Sequence, residues 1–425
     1  MQTRLGAEAK LLPRADEAES ILRSCVHCGF CNATCPTYQL LGNELDGPRG
    51  RIYLIKQLLE GEAVTQKTQL HLDRCLTCRN CETTCPSGVT YHALLDIGRA
   101  EIERRVQRPA GERMLRAGLR QVVPRPAVFD ALLKAGRLAR LLLPRVIRQK
   151  IPAPPAAAKP RPAVRHARRV LMLEGCVQPS LSPNTNAAAA RVLDRLGISV
   201  VAAASAGCCG ATEYHLNAQE AGLQRARRNI DAWWPAIEAG AEAIVQTASG
   251  CGAFVKEYGH LLREDPAYAR KAARVSELAR DLVEVLGAEP LDILRTATHR
   301  RMAFHCPCTL QHAQKLGGAV EAVLTRLGYD LTDVPDSHLC CGSAGTYSIT
   351  QPELAAQLRE RKLDALESGA PEVIATANIG CQTHLAGAGR TPVRHWIELV
   401  EDGLDPLAEN ARSRHQAPEG RPVDR

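Results

Sequence analysis

The stretch CVHCGFCNATCP at Cys25–Pro36 returns as CLTCRNCETTCP at Cys75–Pro86. Both copies follow the pattern C-x2-C-x2-C-x3-C-P. Three cysteines spaced by two residues wrap the backbone around one iron–sulfur cube, and in bacterial two-cluster ferredoxins the fourth cysteine binds the other cluster. The repeat therefore predicts two [4Fe–4S] clusters with crossed ligands. The first set is Cys25, Cys28, Cys31 and Cys85, and the second is Cys75, Cys78, Cys81 and Cys35.

Structural zinc and disulfides are the alternatives for these cysteines. Structural zinc takes its four ligands as two separated pairs and not as a run of four. The chain has 17 cysteines, an odd number, so a complete set of internal disulfides is excluded. The N-terminal sequence has no apolar stretch of the kind found in a secretion signal, and no uncharged apolar run is long enough for a transmembrane helix. We therefore expect a cytoplasmic protein with metal or redox chemistry.

The net charge is +8, and much of the excess of basic residues lies between Arg99 and Arg169. The stretch RLARLLLPRVIRQK at Arg137–Lys150 is either a solvated basic helix face or an amphipathic surface that binds anionic lipid or an acidic partner. Nucleic acid is not an expected partner, because aromatic residues make up only 4% of the chain and no nucleic-acid-binding motif is present.

Helical periodicity surrounds the two motifs. GPRGRIYLIKQLLEG at Gly47–Gly61 and TYHALLDIGRAEIERR at Thr90–Arg105 both predict helices, so residues 1–105 are predicted to form a helical ferredoxin domain with two [4Fe–4S] clusters. Residues 106–167 are predicted to be a basic helical segment and a Pro/Ala-rich linker, IPAPPAAAKPRPAVRHARR. The polar tail at 408–425 is predicted to be disordered.

A second, looser repeat fills the rest of the chain. GCCGATEY at Gly207–Tyr214 corresponds to LCCGSAGTY at Leu339–Tyr347, and the interval from Cys176 to Cys208 equals that from Cys308 to Cys340. Each copy alternates short β-branched runs with amphipathic segments, which indicates βαβ units and a parallel sheet. The predicted fold class is thus α+β and multidomain, with α/β repeats at 168–290 and 298–407 after the helical domain.

The nine remaining cysteines fall at or just after predicted strand ends, where sites in open α/β sheets gather. They are small buried hydrophobes or a further redox or metal site, and a Cys-Cys-Gly sequence that occurs twice favours the site. Four histidines near the second copy are candidates to ligate or tune a metal there: His305, His312, His338 and His384. The candidate cysteines are Cys176, Cys208, Cys209, Cys251, Cys306, Cys308, Cys340, Cys341 and Cys381.

These motifs, together with NELDGPRGRIYLIKQLLEG and RCLTCRNCETTCPSGVTYHALLDIGR, resemble the iron–sulfur subunits of bacterial glycolate oxidases. The two CCG copies are similar to the cysteine-rich domains of that family, of lactate-utilisation proteins and of heterodisulfide reductase. The resemblance implies an oxidoreductase subunit that moves electrons from FAD-containing partner subunits to membrane quinone as glycolate becomes glyoxylate. It also implies a peripheral position on the cytoplasmic face of the inner membrane. No strand followed by G-x-G-x-x-G is found, so flavin and NAD are not expected on this chain.

One departure concerns the closing cysteines of the repeats. Heterodisulfide reductase closes each repeat with C-x2-C, whereas here Cys251 and Cys381 stand alone after Ala248 and Asn378. The departure argues against a five-cysteine cluster in the first copy, and the second copy has five cysteines only if both Cys306 and Cys308 are counted. A further iron–sulfur centre in these repeats stays open. Three alternatives remain. The first is an electron-transfer subunit that serves D-lactate, another 2-hydroxy acid or glycerol 3-phosphate instead of glycolate. The second is a thiol enzyme that reduces a disulfide, and the third is a zinc-binding module.

Overall fold

The computed structural model describes residues 1–142, 151–294 and 300–404. The N-terminal part is helical, and the helices predicted around Gly47–Gly61 and Thr90–Arg105 are both present. The predicted disordered tail and the end of the basic stretch, residues 143–150, lie outside the described residues. The helices are α1 Ala15–Ser24, α2 Phe30–Ala33, α3 Pro36–Leu41, α4 Pro48–Glu60, α5 Gln66–Asp73, α6 Asn80–Thr83, α7 Tyr91–Arg105, α8 Ala110–Val122 and α9 Pro126–Leu138.

The core of this module forms where α4 and α7 cross. Helix α4 begins with Pro48 in its first turn and ends at Gly61, whose positive φ of 96° suits a residue without a Cβ. Its apolar stripe, including Ile55 and Leu58, is fully buried. A Cβ on Gly98 of α7 would lie 2.7 Å from the Ile55 side chain, so this glycine allows the close approach of the two helices.

Two α/β repeats follow the linker, and residues 151–167 of that linker contain neither helix nor strand. The first sheet has the order β2-β1-β3-β4 and the second β6-β5-β7-β8, with every pairing parallel. The predicted fold class is therefore confirmed. The strands are β1 Arg168–Met172, β2 Ile198–Val201, β3 Ile244–Gln246, β4 Ala279–Asp281, β5 Arg301–His305, β6 Asp330–Leu331, β7 Val373–Thr376 and β8 Val393–His395.

The helices of the two repeats follow the same order along the chain, with two additional helices between β3 and β4 of the first repeat. In the first repeat they are α10 Gln178–Leu181, α11 Asn184–Arg195, α12 Ala211–His215, α13 Gln219–Glu238, α14 Ser249–Lys256, α15 Tyr258–Leu261, α16 Ala269–Leu278 and α17 Leu282–Gly287. In the second they are a π-helical turn Thr309–Ala313, then α18 Ala319–Arg326, α19 Tyr347–Thr350, α20 Pro352–Glu367, α21 Ile379–Ala386 and α22 Trp396–Gly403.

The two repeats share one hydrophobic core, which contains apolar residues of both sheets. Polar contacts cross the same junction. The buried Glu398 carboxylate accepts hydrogen bonds from Thr185 Oγ1 at 2.6 Å and Ser182 Oγ at 3.0 Å, and His395 Nε2 lies 2.8 Å from the Thr247 carbonyl oxygen. These buried contacts across the junction fix the repeats relative to each other.

Candidate functional site

The two cysteine motifs adopt the same unusual backbone. His27 and Gly29 of the first motif have positive φ values of 60° and 88°, and Thr77 and Arg79, at the matching positions of the second, have 54° and 61°. Left-handed conformation is costly for residues other than glycine, and such strain persists where the surrounding structure requires it. Here it accompanies the turns that bring the cysteines of each motif to the two cavities described next.

Each motif lines one of two small neighbouring cavities. The larger is lined by Cys25, Cys28, Cys31, Cys81 and Cys85, and the smaller by Cys35, Cys75, Cys78 and Cys81. The fourth cysteine of each motif thus lies at the cavity of the other motif. The larger cavity has five thiols and the smaller has four, because Cys81 lines both. At each cavity these thiols include the four that a [4Fe–4S] cluster with crossed ligands would need.

A buried arginine lies beside the smaller cavity. Arg51 is 1% exposed, and its Nη1 is 4.0 Å from the Cys35 sulfur. Its guanidinium also donates to the His71 carbonyl oxygen at 2.7 Å and to Thr37 Oγ1 at 3.1 Å, and it lies 3.7 Å from the Asp46 carboxylate. The spacing of the cysteines gave no indication of this buried positive charge at the cavity.

Burial disfavours the charged form of several cysteines in the two motifs. It raises the pKa of the Cys78 and Cys81 thiols, and it raises that of Cys31 to about 11. These residues are therefore neutral thiols when no metal is bound. Because the thiolate is the metal ligand, cluster binding at these cavities releases protons.

The two cavities differ in what covers them. In the first motif Cys28 is exposed, and Val26 and Phe30 are 67% and 62% exposed. In the second motif the matching residues are Leu76, Cys78 and Asn80, and all three are buried. The second α/β repeat provides the cover. Cys78 and Leu76 pack with Cys340, Tyr347 and Leu358, while Asn80 Nδ2 donates to the His338 carbonyl oxygen at 3.2 Å.

In the first repeat the structure brings four predicted cysteines together. Cys208 shares hydrogen bonds with Cys176 and with Cys209, and Cys209 shares one with Cys251. The thiol hydrogen bonds from Cys176 and Cys209 lower the pKa of Cys208. Gly210, with φ of 99°, follows the pair because a Cβ there would lie 2.4 Å from the Gly222 carbonyl oxygen.

In the second repeat the structure brings together four thiols and leaves a fifth apart. Cys308 and Cys340 have their sulfurs 3.8 Å apart, Cys340 contacts Cys341, and Cys341 contacts Cys381. Cys306 packs instead into the core shared by the two repeats. Side chains alternate along strand β5, so Cys306 and His305 point to opposite faces of the sheet.

The histidines near the second repeat differ in their partners. His312 lies 2.9 Å from Thr83 Oγ1 and 3.0 Å from the His338 carbonyl oxygen, and His384 lies 3.2 Å from the Ala355 carbonyl oxygen. These two rings are held by hydrogen bonds. The His305 ring is buried, its Nε2 has no hydrogen-bond partner, and burial lowers its pKa to about 3. Its donor atom lies within 4.8 Å of both the Cys341 and Cys381 sulfurs.

None of the helices in the three described ranges is both long and apolar enough to span a membrane.

Known proteins match this arrangement along nearly the whole chain. The 4Fe-4S dicluster domain matches residues 21–89, and the cysteine-rich (CCG) domain matches residues 170–256 and 302–386. The chain is 73% identical over 405 residues to the glycolate oxidase iron-sulfur subunit of Escherichia coli (strain K12), which covers 95% of this chain and 100% of that protein.

Two more distant relatives fit the same picture. The chain is 30% identical over 404 residues to the probable glycolate oxidase iron-sulfur subunit of Bacillus subtilis (strain 168), covering 87% of this chain and 88% of the relative. It is 26% identical over 224 residues to lactate utilization protein A of Bacillus licheniformis, covering 52% of this chain and 91% of that protein. With two [4Fe–4S] motifs followed by two cysteine-rich repeats, the chain belongs to the family of glycolate oxidase iron–sulfur subunits.

Proposed function

We propose that this chain carries electrons within a glycolate oxidase complex, from flavin-containing partner subunits towards a quinone acceptor at the membrane. The observation that carries the proposal is the pair of adjacent cysteine-lined cavities, both of which include Cys81 in their lining. Bound [4Fe–4S] clusters exchange single electrons. The eight cysteines of the two motifs hold the clusters, with Cys35 and Cys85 as the crossed ligands.

The open face of the first motif is the proposed entry for electrons. Val26 and Phe30 leave apolar surface beside the exposed Cys28, whereas the same positions of the second motif are covered by this chain itself. Exposed apolar side chains that surround a functional group mark interaction sites. We therefore assign this face to the flavin-containing subunit, and the covered second motif leads towards the cysteine-rich repeats.

A membrane-associated position has support from helices α8 and α9. They expose apolar side chains such as Met114, Leu115 and Leu132 among basic residues that include Arg113 and Lys134. Basic amphipathic helices bind anionic membrane surfaces. We propose that these helices hold the complex at the cytoplasmic face of the inner membrane, close to the quinone.

Replacing Phe30 by Glu tests the entry face. We expect the rate of electron uptake from the reduced flavin subunits to fall at least about tenfold, because a carboxylate replaces an apolar contact at the centre of the interface. The measurement is the change in absorbance of this chain after it is rapidly mixed with the reduced flavin subunits. Val164→Glu, at an exposed apolar side chain in the linker, is the control and should leave the rate unchanged.

Iron content and reduction by dithionite should be the same in parent and Phe30→Glu proteins. If Phe30→Glu takes up electrons at an unchanged rate, the open face of the first motif is not the entry for electrons. The wider proposal has its own test, in which the flavin subunits are assayed for quinone-linked glycolate oxidation with and without this chain. Full quinone reduction in the absence of the chain would contradict its role as electron carrier.

A further inference from the structure

The two cysteine-rich repeats are built alike, but they differ at two positions that face their thiols. Counting back three residues from Cys176 gives Leu173, and the same count from Cys308 gives His305. Leu173 directly follows β1 and His305 is the last residue of β5, and both pack against the thiols of their repeat. The second repeat therefore has an imidazole where the first has an aliphatic side chain.

The second difference is a charge. Lys362 of α20 takes the place that Asn229 has in α13, since each follows the preceding Tyr347 or Tyr214 by the same number of residues. The Asn229 side chain is neutral, and its Nδ2 donates to the Cys208 carbonyl oxygen at 3.0 Å. Lys362 is 3% exposed, donates to the Asp336 carbonyl oxygen at 2.7 Å and interacts electrostatically with Cys341 and Cys340.

We propose that the second repeat binds a single Zn²⁺ ion through His305, Cys341, Cys381 and Cys340, and that the first repeat does not. His305, Cys341 and Cys381 already have their donor atoms within 4.8 Å of one another, and Cys340 contacts Cys341. With bonds of about 2.0–2.3 Å, two ligands of one tetrahedral ion lie about 3.4–3.8 Å apart, so only small side-chain movements are needed.

The polar groups of the site support this choice of ion. A buried imidazole nitrogen without a hydrogen-bond partner is costly, and a metal bond satisfies it. Three cysteines and one histidine are a common ligand set for structural zinc. Three thiolates and Zn²⁺ carry one net negative charge, which the buried Lys362 ammonium balances. The first repeat has neither the imidazole nor the ammonium.

The test is zinc and iron analysis of the full-length chain, purified anaerobically and supplied with Zn²⁺ under reducing conditions. We expect about one tightly bound zinc per chain in the parent protein. His305→Leu, which copies Leu173 of the first repeat, and Cys381→Ala should lose it. Cys308→Ala and Cys176→Ala are the matched controls and should keep it. Zinc-edge X-ray absorption of the parent should show three sulfur ligands and one nitrogen ligand.

Lys362→Asn, which copies Asn229, should lower the affinity for Zn²⁺ by about 10–100-fold, as expected for a group that supports ligands from outside the metal's own shell. The iron content of every variant reports whether the N-terminal module has folded. The inference is overturned if the parent binds no zinc, if His305→Leu keeps it, or if Cys308→Ala removes extra iron instead. None of these results decides whether the chain carries electrons, because that proposal rests on the two clusters of the N-terminal module and has its own test.

Discussion

Replacing Cys35 by Ala should remove the cluster of the second motif, although Cys35 belongs to the first. We expect a loss of about four of the eight irons that two [4Fe–4S] clusters contain. The EPR spectrum after dithionite should change from that of two interacting clusters to that of one. Cys85→Ala should give the converse loss. The physical reason is the placement of Cys35 at the cavity lined by Cys75 and Cys78, and of Cys85 at the other cavity.

Double variants distinguish crossed from uncrossed ligation. If Cys35 and Cys78 bind the same cluster, the double variant loses no more iron than either single variant. Cys35→Ala combined with Cys28→Ala should lose nearly all of it. Cys306→Ala is the matched control, since this buried cysteine lies on the opposite face of β5 from the thiols of the second repeat. The reverse pattern among the double variants would establish that each motif binds its own cluster.

The sequence was sufficient for features that depend on neighbouring residues. Four cysteines at short intervals determine how the chain turns around a cavity, and the helix around Ile55 and Leu58 follows from apolar residues at helical spacing. Lys362 was not predicted as a functional residue, although the signal for it was local. It lies on the buried stripe of α20 with Leu354 and Leu358, where a lysine is out of place unless it has a partner.

Other features depended on contacts between distant parts of the chain. Nothing near Asn80 indicates that it will donate to the His338 carbonyl oxygen, so the sequence could not tell which motif would be covered. The grouping of the thiols in the second repeat could be predicted in part from the sequence. Alternation along β5 separates Cys306 from His305, but the strand had to be located to the residue before that rule could be applied.

Asp46→Asn should be among the most destabilising single changes in the N-terminal module. The Asp46 side chain is fully buried, accepts from Arg74 Nη1 at 3.0 Å, lies 2.9 Å from His71 Nδ1 and faces Arg51 at 3.7 Å. With Asn at position 46, the buried Arg51 guanidinium no longer faces a charged carboxylate there. Removing one partner from a buried ion pair costs about 3–5 kcal/mol. For a module of this size we expect the melting temperature to fall by on the order of 10 °C.

The same variant should raise the midpoint potential of the centre that we propose is bound at Cys35, Cys75, Cys78 and Cys81. Reduction adds negative charge, and the local field becomes more positive when a carboxylate beside Arg51 is neutralised. Potentiometric titration followed by EPR measures this shift, with the centre of the first motif in the same molecule as an internal reference. Glu277→Gln, which breaks an exposed ion pair with Arg274, should change stability by less than about 0.5 kcal/mol and leave both potentials unchanged. A lower melting temperature with no change in potential would show that Asp46 stabilises the fold without influencing the centre. The field of its carboxylate would then be screened from the ligand sulfurs.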